Sequence, residues 1–289
     1  MQRTAQQLVI SSRPRKPIRW SRIVVTTVMV TLGITMVLPF LWMLSTSLKL
    51  PIDAFEYPVR WIPKEFHWEN YEKVWAGNYP FMLFYWNSIK VTFFSVVGVL
   101  FFTSMAGYGF ARLPFKGRNT IFLILLSALM IPPQVILIPR FLMFNEFGLL
   151  DSHIALIIPF WFMVFGTFLM RQFYQQIPFD LSESAEIDGA GEFRIWWQVI
   201  APLAKPAVVS LMILSFVWKW NDYLTPLVYL SSPELFTIPV GLDYFVEENS
   251  TDITLHMTAS VTATLPMLIV FIFGQKYFIR GIVASGLKG

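Results

Sequence analysis

Apolar residues gather into long runs separated by shorter polar segments. The runs cover residues 23–48, 86–111, 119–144, 154–173, 206–230 and 258–278. A helix rises about 1.5 Å per residue, so about 20 apolar residues cross a hydrocarbon core of about 30 Å. Each run is long enough, and the pattern predicts an all-α membrane protein with six transmembrane helices. Residues 1–22 form an N-terminal tail, 23–280 the membrane domain and 281–289 a C-terminal tail. The first run follows a basic tail and exceeds the apolar part of a cleaved signal peptide. No small-residue cleavage site follows it, so it is expected to remain as a span.

Composition supports this reading. Of 289 residues, 55% are hydrophobic and 14% charged. A soluble domain carries about 25% charged residues, so this chain has too few to coat a water-facing surface. Its 28 Phe and 11 Trp suit lipid-facing helices with interfacial aromatic belts. The net charge of +4 belongs with basic cytoplasmic loops, not with a nucleic-acid partner. There is no Cys, which excludes disulfides, thiolate metal sites and cysteine nucleophiles. His67, His153 and His256 have no ligand spacing.

Lys and Arg set the orientation. The N-terminal tail holds Arg3, Arg13, Arg15, Lys16, Arg19 and Arg22 and no acid. The 112–118 loop adds Arg112, Lys116 and Arg118, and the C-terminal end Lys276, Arg280 and Lys288. The 231–257 loop has Glu234, Asp243, Glu247, Glu248 and Asp252 and no base. The positive-inside rule puts both termini in the cytoplasm and 231–257 outside. Parity then makes 171–205 cytoplasmic although its acids outnumber its bases. Acids contribute little to topology, but this loop calls for an explanation of its own.

Its central part, 177–202, reads IPFDLSESAEIDGAGEFRIWWQVIAP. Pro178 suits a first helical position, and Asp180 and Glu183 a first turn. Gly189-Ala190-Gly191 supplies a break, because glycine tolerates positive φ. Phe193, Trp196, Trp197 and Ile200 then fall at i, i+3, i+4 and i+7, the spacing of one apolar helix face. This is a helix pair lying on the membrane or a knob for another protein, and composition does not choose between them.

The spacing resembles the EAA loop of ABC importer permeases: E-A-A, three residues, G, nine residues, I-x-L-P. Here the pattern falls on Glu183-Ser184-Ala185, Gly189 and Val199-Ile200-Ala201-Pro202. Ser184, Val199 and Ala201 depart from it by small or apolar exchanges. Further stretches are similar to the MalG-type branch of carbohydrate permeases, in order along the chain. They are Gly107-Tyr108-Gly109-Phe110-Ala111-Arg112, Met130-Ile131-Pro132-Pro133-Gln134, Gly148-Leu149-Leu150-Asp151, Trp220-Asn221-Asp222 and the C-terminal Gly286-Leu287-Lys288-Gly289.

The resemblance implies a type I ABC importer permease fold and half of a translocation pathway for an oligosaccharide or related carbohydrate. It implies a bacterial cytoplasmic (inner) membrane, with a homologous second permease as heterodimer partner. Two ATPase subunits would bind ATP and Mg, and an extracytoplasmic solute-binding protein would deliver solute. No cofactor is expected in this chain. Glu183, Ser184, Ala185, Asp188, Gly189, Ala190 and Pro202 would then couple to the ATPase. Pro132, Pro133 and Gln134, where adjacent prolines must kink a span, and Asn221 and Asp222 are candidates for pathway or gate. Asp243, Tyr244, Phe245 and Glu247 are candidates for contact with the binding protein.

A permease of the same kind for another solute, such as a polyol or a glycerol phosphodiester, stays open beside the oligosaccharide, whereas the unrelated classes lack their signatures. The sequence has no G-x-x-x-x-G-K-[ST] phosphate loop, so the chain is not expected to hydrolyse ATP. No Ser/His/Asp set or carboxylate pair converges, which disfavours an intramembrane hydrolase. An ion-coupled carrier would need acids deep in its spans, and Asp222 is the one acid inside the six runs.

Overall fold

The computed structural model describes residues 20–76, 81–248 and 252–286, with backbone alone at 247–248 and 276–286. Most of it is helical, and no strand occurs among the described residues. The chain divides into two units, 1–43 and 44–289. The first unit contains most of helix α1 (Trp20–Ser47), whose residues 20–41 are exposed. A helix that is apolar all round is built to lie in lipid or against protein.

In the second unit, helix α2 (Glu69–Ala76) precedes the long α3 (Phe81–Arg112). Then come α4 (Arg118–Met130), α5 (Pro133–Glu146) and α6 (His153–Tyr174), the last with a 3₁₀ stretch at Ile158–Trp161. The segment rich in acids is α7 (Asp180–Ile187) followed by α8 (Glu192–Leu203), which leads to α9 (Lys205–Trp220). The chain ends in the short α10 (Leu224–Tyr229), α11 (Ile238–Glu248) and α12 (Ile253–Gly286). Helix α3 is the centre of the unit and packs against α6 and α9, while α9 packs against α12. The α3–α6 contact leaves no room at Gly107, where a Cβ would stand 2.7 Å from Met170 Cβ and 3.0 Å from the Arg171 nitrogen.

Among the described residues, four helices are long and apolar enough to cross a membrane, and up to six segments if each bent pair is one span. The third run is not a kinked helix but two, α4 and α5, at 99°. Pro132 precedes a proline, which forces it out of the helical region to φ −58°, ψ 133°. The fifth run also differs: α8 and α9 meet at 84°, and α9 ends at Trp220 rather than near 230. Pro206 has no N–H to donate to the Pro202 carbonyl, and its ring crowds that carbonyl. At the C-terminus, helix continues to Gly286 where a tail was expected, and 287–289, like most of the N-terminal tail, lie outside the described residues.

Several connecting segments are tied down by side chains bonded to backbone, around Asn70, Asn87 and Asp151. Asn70 donates to the carbonyls of Ser47 and Lys49, each at 2.9 Å, closing the end of α1. Asn87 donates to the carbonyls of Glu234 and Phe236 at 2.8 and 3.1 Å. Asp151, at φ 54°, accepts from the Ser231 and Ser232 amides at 2.9 Å and from the Ser232 hydroxyl at 2.5 Å. The Ser232 hydroxyl and then these amides hold the Asp151 carboxyl below the usual carboxylate range. Each such bond satisfies a backbone group that would otherwise be orphaned at a helix end or turn.

Candidate functional site

The acidic 171–205 loop folds as a knob carried on two arms. Helix α7 begins with Asp180 and Glu183 in its first turn, where the helix dipole favours acids. The Ser184 hydroxyl donates to the Asp180 carbonyl at 2.7 Å. Its end is a Schellman closure: the Ala190 amide donates to Ala185 O and the Gly189 amide to Glu186 O, both at 2.9 Å. Gly189 has φ +79°, the left-handed value such a closure requires. A Cβ there would meet nothing within 4 Å, so the demand for glycine is conformational and not one of space. The half-buried Ala185 and Ala190 pack together onto the core below. The fixed interval from Ala185 to Gly189 is therefore the geometry of one helix cap.

Most of the rest of α7 and its C-cap is bare. Leu181, Glu183, Ser184, Ile187 and Asp188 are exposed, and Ile187 is 86% exposed. Two aliphatic side chains, Leu181 and Ile187, therefore lie exposed among the carboxylates of Glu183, Glu186 and Asp188.

Under the knob lies a core of Tyr108, Met170, Tyr174, Ile195, Trp196 and Ile200. The expected apolar stripe is redistributed. Trp196 and Ile200 are buried, but Phe193 and Trp197 are 60% and 59% exposed, and Ile195 takes the inner face. The backbone over Ile195–Ile200 is a π-helix. Pro202 explains it, since its ring crowds the Gln198 carbonyl and it has no N–H for an i−4 bond. Such a bulge rotates the register, so a 3.6-residue period misassigns the faces. Pro202 and Trp197 line an apolar hollow of about 500 Å³ with Val97, Phe101 and Lys205.

Both arms are held by α3. Arg112, 7% exposed, donates to the carbonyls of Tyr174 at 2.7 Å and Pro178 at 3.3 Å, and also to that of Ile177. Its guanidinium lies 4.3 Å from the Phe179 ring centre. Tyr108 donates its phenol proton to Glu192 Oε2 at 2.5 Å. Ser104 Oγ bonds the Tyr174 hydroxyl at 2.6 Å and accepts from Trp196 Nε1 at 3.1 Å. Sequence reasoning read Arg112 as a topological charge and placed it with Tyr108 in a stretch that resembles the family, but gave neither a contact, and it did not single out Ser104, Glu192 or Ile187. The available signal was the four-residue spacing of 104, 108 and 112, which sets them one above another on a helix.

The remaining candidates lie elsewhere. Pro132, Pro133 and Gln134 are exposed at the α4–α5 bend. Asn221 and Asp222 are committed to their own fold. Asn221 donates to the Val217 carbonyl at 2.7 Å, and Asp222 pairs with the buried Lys219 at 2.9 Å and accepts from the Thr225 amide at 3.2 Å. The 231–257 segment is a helix, α11, over much of its length. Phe245 on it is not an exposed contact residue: it is 1% exposed and meets Phe81 edge-on at 5.9 Å. Tyr244 is half-buried against Phe84 and Phe236. Asp243 is exposed and accepts from the Tyr223 hydroxyl at 2.9 Å, and the Glu247 side chain lies outside the described residues. Among the described residues, no group of His, Cys, Asp and Glu could hold a metal.

Comparison with known proteins places this geometry. Residues 9–284 match the family described as binding-protein-dependent transport system inner membrane component. The arabinooligosaccharides transport system permease protein AraQ of Bacillus subtilis (strain 168) is 38% identical over 247 residues, 86% of this chain and 85% of that protein. The melibiose/raffinose/stachyose import permease protein MelC of the same organism is 34% identical over 260 residues, 87% of this chain and 91% of that protein. Among solved structures, a chain of a bacterial ABC transporter involved in the import of the acidic polysaccharide alginate superposes with a TM-score of 0.78. It is 28% identical, and the match covers 90% of this chain and 98% of that one.

Proposed function

Because this chain belongs to the family of binding-protein-dependent transport system inner membrane components, we propose that α7 is the part through which it takes up the work of its ATPase. The chain is a permease subunit of a carbohydrate ABC importer, a non-catalytic multi-pass component of the inner membrane that acts with a binding protein and an ATPase. The observation carrying the coupling role is α7 itself: an exposed acidic and aliphatic face, rigidly capped at Gly189 and seated on the core through Ala185 and Ala190. Glu183 and Asp188 meet basic groups of the ATPase, and Leu181 and Ile187 enter its apolar cleft. Two ATPase subunits bind ATP and Mg, and this chain needs no cofactor of its own. A second, homologous permease supplies the other half of the pathway.

The solute is an oligosaccharide, a reading supported by what AraQ and MelC are named for. The experiment is uptake into vesicles holding the assembled importer, its binding protein outside and ATP inside. We expect saturable uptake of an arabino- or galacto-oligosaccharide that stops without ATP or without the binding protein. Uptake of glycerol phosphate with no oligosaccharide uptake would overturn the solute class.

Both termini lie in the cytoplasm, in line with the basic 112–118 loop and the acidic 231–257 segment. The chain has no native Cys, so single substitutions report cleanly. A membrane-impermeant maleimide should label Glu248→Cys and not Phe115→Cys in intact cells. The reverse pattern would invert the topology.

A further inference from the structure

Ser104, Tyr108 and Arg112 stand one turn apart on a single face of α3, and together they reach both arms of α7. Arg112 holds the leading arm at three points, the carbonyls of Tyr174, Ile177 and Pro178. Tyr174 ends α6, where its carbonyl also accepts from the Ile177 amide at 3.3 Å, and Ile177 and Pro178 form the turn that leads into α7. Tyr108 holds the trailing arm at Glu192, and Ser104 joins the two arms through Tyr174 and Trp196. Hydrogen bonds to charged groups are the strong ones. The Arg112–Tyr174 bond and the two Ser104 bonds are buried, while the Tyr108–Glu192 bond lies at the edge of the core, where Glu192 is exposed. At Gly107, on the same stretch of α3, the backbones of α3 and α6 are packed without slack.

A knob that hangs from two fastened arms cannot tilt without pulling on the helix to which both are fastened. We infer that Tyr108 and Arg112 are positioning residues of the transport cycle. They deliver the movement of α7 to α3, so that ATP hydrolysis below becomes rearrangement of the central span. This rests on the proposed docking of α7. It adds that a lesion on α3, away from the docking face, separates hydrolysis from transport.

The test is a double-mutant cycle on the assembled importer with Tyr108→Phe, Glu192→Ala and the pair together. The readouts are ATPase co-purified and solute imported per ATP hydrolysed. Tyr108→Phe removes one hydroxyl and no packing. Each single variant should keep the ATPase attached and import about 10-fold less solute per ATP. The pair should be no worse than the worse single, because both delete one bond. Should Tyr108→Phe fail to assemble, Arg112→Lys carries the same prediction, since an ammonium cannot span three carbonyls in the fixed fork of a guanidinium. Wild-type solute per ATP in the variants, or losses that add in the pair, would overturn the inference. Loss of the ATPase from variants of α7 itself is a separate result that bears on docking alone.

Discussion

Gly189→Val is expected to abolish uptake and to reduce co-purified ATPase at least about 10-fold, while the membrane domain remains folded. The reason is local. Gly189 sits at φ +79° with its amide and that of Ala190 closing the end of α7. A β-branched residue at a left-handed position costs about 1–3 kcal/mol. The closure would open instead, freeing the carbonyls of Ala185 and Glu186 and lifting Ala190 from the core. The knob would survive as sequence but not as a rigid shape. Asn tolerates the left-handed region better than other side chains do, so Gly189→Asn should recover much of the attachment. If Gly189→Val and Gly189→Asn fail equally, bulk at the contact and not backbone conformation is the cause. If neither fails, α7 is only a connector.

Ile187→Asp is expected to be as severe by a different route. Ile187 is 86% exposed at the exit of α7, so the isolated chain gains nothing from its side chain. Full burial of an aliphatic side chain contributes about 1.5–3 kcal/mol. Replacing it with a carboxylate loses that and places another charge beside Asp188. The affinity of the purified permease for its ATPase should fall about 100-fold or more, a change of about 2.8 kcal/mol. Thermal unfolding of the membrane domain should not move, because no internal contact is lost. An unchanged affinity would remove Ile187 from the docking face.

Much of this was legible in the sequence, and the reasons differ by element. The long apolar runs could be read because a bilayer demands length and composition more than detail. The Ala185-to-Gly189 interval could be read because a helix cap has a fixed spacing. What escaped was set by proline and by distance. Pro132-Pro133 turned an expected kink into a 99° break. Pro202 imposed a π-turn that moved Trp197 to the surface and Ile195 inward. Phe245 looked like an exposed loop aromatic because nothing local revealed that α11 turns it onto Phe81. Arg112 carried its topological meaning openly and its structural one not at all, since its acceptors lie more than sixty residues away.

The coupling role of α7 is tested most directly by cross-linking. With no native Cys in the chain, Ile187→Cys places one thiol on the exposed face of the knob and Phe94→Cys places another on an exposed face of mid-span α3. A short thiol-to-amine cross-linker applied to the assembled importer should join position 187 to the ATPase subunit in high yield and position 94 not at all. The yield at 187 should collapse when Gly189→Val is added. An importer that carries its ATPase, yet gives no adduct at 187, would contradict the account.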